Sequence, residues 1–388
     1  MKRCSPTVPG AVLLLLATAL PTATARPAEQ TGPRTPTTVS TAATTVKTTI
    51  TVKTPTTVKT TTGAVGTPTA GSVPCATADE LLVPACGVWW GIWPRTDSRG
   101  TRSNNLPANL ADLEKSLGRR FDLVSRYKGW GENLYDAWDR SFRDSGRIVL
   151  EDLTARNFRT NTYTSWASIA DGDHDEYLVR QAARVRAFGA RTFLSFNQEP
   201  EQALERGGIA GEPEDFARAY RHVHDLFVAE GATNAVWVWW VMGWSGHNDV
   251  YPDLWPGADY VDWIAYDPYD FNTCHSTGYK TPADTLSRWY RWIDAQPWAD
   301  DKPIMLAEYG SNGANKGDWY AQVPDALTEL PRIRAAVEFN SAPGRCDHRV
   351  TASANNLAGF RAASSHPLVN PGTTIGLPIP TANGRAVR

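Results

Sequence analysis

Cysteine is scarce in this chain and is not spaced for metal chemistry. Five cysteines are spread over 388 residues, with no Cys-x-x-Cys pair and no Cys/His cluster at metal-ligand spacing, so no metal is expected. Positive charge is also in short supply. Lysine and arginine total 39 against 41 aspartates and glutamates, a formal charge of −2. Lys2, Arg3, Arg26, Arg34, Lys47, Lys53 and Lys59 face only Glu29 in residues 1–78, which leaves residues 79–388 at about −8. An acidic domain excludes nucleic acid as the natural partner. No apolar run approaches the roughly 20 residues that cross a bilayer, so no membrane span is expected. No glycine-rich turn follows the first strand candidate, Gly87 to Trp93, and the signature of a nucleotide site is missing with it. No cofactor is called for.

The chain begins with a secretory pattern. Lys2 and Arg3 precede a short apolar stretch, Val12 to Leu16 with Leu20, and Ala23-Thr24-Ala25 is a small-residue cleavage site. Residues 1–25 therefore read as a signal peptide and the protein as secreted and extracellular. Residues 26–78 are dominated by threonine, with Val-Lys-Thr at 46–48, 52–54 and 58–60. Such a segment has little to bury and is expected to be a disordered linker, either a stalk at the cell wall or a neutral spacer. Residues 79–365 have globular composition and are long enough for one large domain. Residues 366–388 form a C-terminal tail without periodicity. Cleavage of the signal removes Cys4 and leaves Cys75, Cys86, Cys274 and Cys346, which implies two disulfides.

Eight strand candidates follow one another: 87–93, 121–127, 147–153, 192–197, 236–241, 260–266, 303–308 and 334–340. Helical patterns lie between them. Phe216, Tyr220, Val223 and Phe227 recur at 4-3-4 spacing behind Pro213, and Gly189 stands at a helix C-terminus. This rhythm predicts an α/β fold, a (β/α)8 TIM barrel, with an open doubly wound sheet as the alternative. In a barrel Cys75 and Cys86 lie at the bottom of strand one, whereas Cys274 and Cys346 follow strands six and eight at the top. The expected pairs are Cys75–Cys86 and Cys274–Cys346.

Two apolar strands run into glutamates, Phe193-Leu-Ser-Phe196-Asn197-Gln198-Glu199-Pro200 and Ile304-Met-Leu-Ala307-Glu308. A carboxylate pair at the C-terminal ends of two strands suits glycoside hydrolysis. Glu201 is a rival to Glu199. Trp93, Glu151, Asp152, Asn197, Trp244, His247, Asp267, Tyr269 and Asn340 fall on the same rim, and all but Asp152 and Asn340 are substrate-binding candidates. At the end of the third strand either Glu151 or Asp152 is the residue to meet sugar hydroxyls, with a structural hydrogen-bonding role as the alternative. Sixteen tryptophans divide between core packing and sugar stacking, with Trp93 and Trp244 the sugar candidates.

At these residues the chain resembles glycoside hydrolase family 26, which includes many β-mannanases. The segments are Trp166-Ala-Ser-Ile169 with Asp175, Asp259-Tyr-Val-Asp262-Trp-Ile-Ala-Tyr-Asp267-Pro-Tyr269, and Ile304-Met-Leu-Ala-Glu308-Tyr-Gly310. The resemblance implies a retaining enzyme in which Glu199 is the acid/base, Glu308 the nucleophile, and Tyr269 a tyrosine that holds the nucleophile. The family usually has histidine before the acid/base; here Gln198 stands there, and Pro200-Glu201-Gln202 follows. The expectation is a secreted endo-β-1,4-mannanase-like hydrolase of a β-linked polysaccharide, acting as a monomer. β-Glucanase, β-xylanase and a non-catalytic glycan-binding barrel are the alternatives.

Overall fold

A computed structural model describes residues 78–95, 105–299 and 301–370. The signal and linker segments, Cys75 and the chain beyond residue 370 lie outside the described residues. The expected Cys75–Cys86 pair and the secretory reading fall there.

Alternating apolar runs form eight strands: β1 (Trp89–Trp93), β2 (Leu123–Lys128), β3 (Ile148–Leu153), β4 (Thr192–Phe196), β5 (Ala235–Val241), β6 (Trp263–Tyr266), β7 (Ile304–Ser311) and β8 (Ile333–Phe339). All pairings among them are parallel. The order is β8–β1–β2–β3–β4–β5–β6–β7, and β7 also pairs with β8, so the sheet closes. The protein is a (β/α)8 barrel. Small additions ride on its rim, including a hairpin of Arg156–Asn157 with Thr162–Tyr163.

Strand parity sorts the side chains into two cores. Trp89, Leu150, Phe193, Trp240, Trp263 and Met305 are among those that fill the barrel interior. Their neighbours Trp90, Val149, Leu194, Trp239 and Ile264 pack outward under the helices. Nine of the sixteen tryptophans are buried, so packing accounts for most of the surplus.

The helices begin and end at readable signals. α1 (Leu106–Leu117) starts where the Asn105 side chain accepts the Ala108 N–H at 3.1 Å, and stops at left-handed Gly118. α2 (Ala137–Asp144) opens with a capping box between Asp136 and Asp139. α3 (Asp175–Phe188) ends at left-handed Gly189. α4 (Pro213–Ala229) buries Phe216, Tyr220, Val223 and Phe227, the predicted stripe. In α5 (Pro282–Asp294) the buried stripe is Leu286, Trp289, Tyr290 and Ile293. Packing also continues past the expected domain end at 365: the Val88 N–H donates to the Leu368 carbonyl at 3.0 Å, and Val369 is buried. No helix among the described residues is long and apolar enough to cross a membrane.

The N-terminal end of the barrel is plugged by residues 78–84. Ala78 bridges Pro84, and Leu82 inserts into the interior core at a φ of 60°. The indole N–H groups of Trp89 and Trp263 donate to the carbonyls of Leu82 and Leu81, each at 2.7 Å. Leu82→Ala is expected to cost about 2–4 kcal/mol in urea unfolding, because it empties the floor of a closed core. A loss below about 0.5 kcal/mol would show that the plug is dispensable.

Candidate active site

Glu308 lies near the C-terminal end of β7 and is 7% exposed. The Tyr127 hydroxyl, from β2, donates to its Oε1 at 2.6 Å. The Tyr269 hydroxyl, just past β6, donates to Oε2. The Glu308 backbone N–H donates to Asp267 Oδ1 at 2.9 Å. Asp267 is fixed in turn by the Trp240 indole N–H, which lies 2.8 and 2.7 Å from its two oxygens. Tyrosines from β2 and from just past β6 thus hold both oxygens of one carboxyl group.

Glu199 sits in the turn after β4. Asn197 and Glu199 both have left-handed backbones, with φ of 52° and 47°. Such backbone persists where neighbours over-determine it. Here the Asn197 side-chain oxygen accepts the Ala155 N–H at 3.0 Å, the Gln198 N–H donates to Asp152 Oδ1 at 2.8 Å, and the Glu199 N–H donates to the Trp240 carbonyl at 3.0 Å. The Gln202 amide donates to Glu199 Oε2. Pro200 then leads into the short helix Glu201–Glu205. Glu201 itself is buried, and its Oε1 accepts the Met242 N–H at 3.0 Å. That interior position leaves Glu199, which is half-buried, as the carboxyl that meets the cleft.

Five carboxyl groups share this end of the barrel, and burial raises the pKa of each. Asp152 is pushed up to about 8 by burial. Glu199 is pushed up to about 7 by burial and by the charge of Glu201, against hydrogen bonds with Asp267 and Gln202. Asp267 is raised by burial and by the charges of Glu308 and Glu199. Glu308 is raised by burial and by Glu199, while the two tyrosine hydroxyls pull it back. The pair ionises jointly. Two donors aimed at Glu308 hold the first negative charge there, and that charge discourages a second one at Glu199. An ionised nucleophile and a protonated acid are what this arrangement can supply.

One wall of the cleft is aromatic. A cavity of about 410 Å³ beside Glu308 is lined by Tyr269, Phe271, His275, Phe339, Arg345 and His348, among others. Tyr269 stacks on Phe271 at 5.3 Å between centroids, and Phe271 on His275 at 4.5 Å. His348 is pushed down to about 4 by burial and is therefore neutral near pH 7. Its Nδ1 lies 3.2 Å from the Ser311 carbonyl and, protonated there, donates to it. Cys274 and Cys346 form a disulfide with a Cα–Cα distance of 5.0 Å, which ties the loops after β6 and β8 together as expected. Trp93 stacks on Phe339 at 4.5 Å and meets Tyr127 edge-on at 5.0 Å.

The structure brings Glu199, Glu308, Asp267, Tyr269 and Trp93 together at the top of the barrel. Trp244 stands just past β5 and is 55% exposed, with the His247 ring against it at 5.1 Å. His247 Nε2 also meets Glu205 Oε1 at 3.0 Å. Two expected substrate contacts are not brought there. Asn197 is buried and spends its side-chain oxygen on the loop after β3. Glu151 points outward from β3, where it accepts the Tyr135 N–H at 3.2 and 3.1 Å and pairs with Lys128 at 3.3 Å. Its neighbour Asp152 has the inward parity. Tyr127 and His348 were not singled out as site residues in the sequence. Parity with Leu123, an interior residue, would have found Tyr127.

No family model matches the chain. Endoglucanase H of Acetivibrio thermocellus is 28% identical over 300 residues, covering 74% of this chain and 31% of that protein. The chain thus spans about a third of the length of that relative. Among solved structures, a family 26 β-mannanase of Bacteroides ovatus matches with a TM-score of 0.55 at 16% identity, over 74% of this chain and 91% of that one. The family 26 domain of an endo-β-mannanase/endo-β-glucanase of Prevotella bryantii gives 0.51 at 14% identity, over 74% and 92%. A modular endo-β-1,4-mannanase of Cellulomonas fimi gives 0.52 at 18% identity, over 73% and 71%. The barrel that carries this cluster of carboxyl groups therefore has the fold of the glycoside hydrolase family 26 mannanases, which the sequence already resembled.

Proposed function

We propose that this chain is a retaining glycoside hydrolase of family 26 that cleaves a β-linked polysaccharide. Glu308 is the nucleophile and Glu199 the acid/base. One observation carries the reading: a carboxyl group at the end of β7 is clasped by two tyrosine hydroxyls, and it feels the charge of a second carboxyl group just past the end of β4. A glycan-binding barrel has no use for both.

In the first step a Glu308 oxygen attacks the anomeric carbon, the glycosidic C–O bond breaks, and Glu199 gives its proton to the departing oxygen. In the second, Glu199 takes a proton from water. The water oxygen attacks the same carbon, and the bond to Glu308 breaks. Burial and each other's charge raise both groups, and the two tyrosine hydroxyls on Glu308 favour the first charge there, which leaves the proton on Glu199.

Mannan is the first substrate reading, because the structural neighbours named above include β-mannanases. β-Glucan is the second, favoured by the higher sequence identity to an endoglucanase. The leader-like start and threonine-rich segment support a secreted enzyme held near a cell wall. The test is reducing-sugar release from mannan, galactomannan, lichenan, xylan and laminarin, with Glu308→Gln as control. Cleavage of mannan or lichenan by the native chain and not by the variant is expected. Binding without cleavage of any of these glycans would overturn the enzymatic reading.

A further inference from the structure

Glu201 is a buried carboxyl group that the double displacement does not use. It lies two residues past Glu199, across Pro200, at the start of a five-residue helix. Its Oε1 accepts the Met242 N–H from just beyond β5, and Oε2 has no hydrogen-bond partner within ordinary reach. The Tyr251 hydroxyl faces it from the other side, held there between the N–H and carbonyl of Trp244 at 3.0 and 3.2 Å. A carboxyl group in this setting is costly, and a Gln or Leu would fill the space at lower cost. Its proximity to Glu199 gives it a use.

We propose that Glu201 is a positioning residue whose buried charge, held by the Met242 amide behind the Glu199 turn, keeps Glu199 in its proton-donating form. The proposal rests on the assignment of Glu199 as acid/base.

The charged and titratable surroundings of both groups bear on the sign. Glu199 is faced by Glu201, by Asp152 from β3, by Asp267 from beyond β6 and by Glu308 from β7. Glu201 is faced by Tyr251 and by Glu205 on its own helix, and Glu205 is met by His247. The Met242 N–H on Oε1 favours the carboxylate of Glu201 and so holds a negative charge there. The resulting charge opposes a second one at Glu199, so the Glu199 proton is retained to higher pH. Removing the Glu201 charge should let Glu199 ionise at lower pH. The alkaline limb of kcat/KM, which reports loss of the acid, should then move to lower pH.

The experiment compares the native chain with Glu201→Gln and Glu201→Asp in two readouts. The first is the pH profile of kcat/KM on the glycan that the native chain cleaves. The second is a titration of glutamate carboxyl carbons by NMR, with the Glu199 signal assigned through its loss in Glu199→Gln. Glu201→Gln is expected to move the alkaline limb and the Glu199 titration to lower pH by roughly half a unit or more. Glu201→Asp keeps a charge and should fall between. A uniform loss of rate with both limbs fixed, or an unmoved Glu199 signal, overturns the proposal. If Glu201→Gln does not fold, as judged by circular dichroism, the aspartate variant decides alone by the same criteria. If the native chain cleaves no glycan, the enzymatic reading fails, while the NMR titration still decides whether Glu201 governs Glu199.

Discussion

Glu199→Ala is expected to lower polysaccharide cleavage by roughly three to four orders of magnitude, or about 4–5 kcal/mol of barrier. A sugar hydroxylate is a poor leaving group and needs the proton of Glu199. An aryl glycoside with an acidic phenol does not, so its first step should survive the substitution. Its second step would stall, because water loses its base. Azide, which needs no base, should restart it and give a glycosyl azide of retained configuration. Glu308→Ala should behave in the opposite way. It loses both substrates, and azide substituting for the missing carboxylate gives the inverted product. Equal loss on aryl and sugar leaving groups in Glu199→Ala would remove Glu199 from the acid role.

The next largest effects are expected at the two tyrosines on Glu308. Each hydroxyl donates to a separate oxygen of the same carboxylate. A hydrogen bond to a charged group contributes about 1.5–3 kcal/mol, so Tyr127→Phe and Tyr269→Phe should each lower kcat roughly 10- to 100-fold. Both donors favour the charged form of Glu308. Their loss raises its pKa, so the acidic limb of the pH profile should move to higher pH in each variant. The double variant should fall short of the product of the two single effects, because the partners share one group. A change in KM alone, with the acidic limb fixed, would mean that the tyrosines bind sugar and do not hold the nucleophile.

The barrel was legible because its signals are local and repeated. Each strand is an apolar run of the right length, and α4 announced its buried face through Phe216, Tyr220, Val223 and Phe227. The pairing of Cys274 with Cys346 followed from where strands six and eight end. The less legible part is which rim residues turn inward. Glu151 and Asp152 are adjacent and equally acidic, and only their phase relative to the interior residue Leu150 separates them. Asn197 looked like a ligand for sugar, but its left-handed backbone turns the side chain toward Ala155. Tyr127 reaches Glu308 from a strand 181 positions earlier in the chain, a contact that no local pattern encodes.

The aromatic wall of the cleft is built from two loops that belong to different strands, joined by Cys274 and Cys346 across 72 residues. Two untied loops would surrender conformational freedom each time a ligand settled against Phe271 and His275. A tied wall has surrendered most of it already, when the cross-link formed during folding. The entropy is lost once per protein molecule and not once per binding event. Affinity on this side of the cleft is thereby linked to the redox history of the chain: the same sequence, folded where thiols stay reduced, would present the same side chains and hold its ligand less tightly.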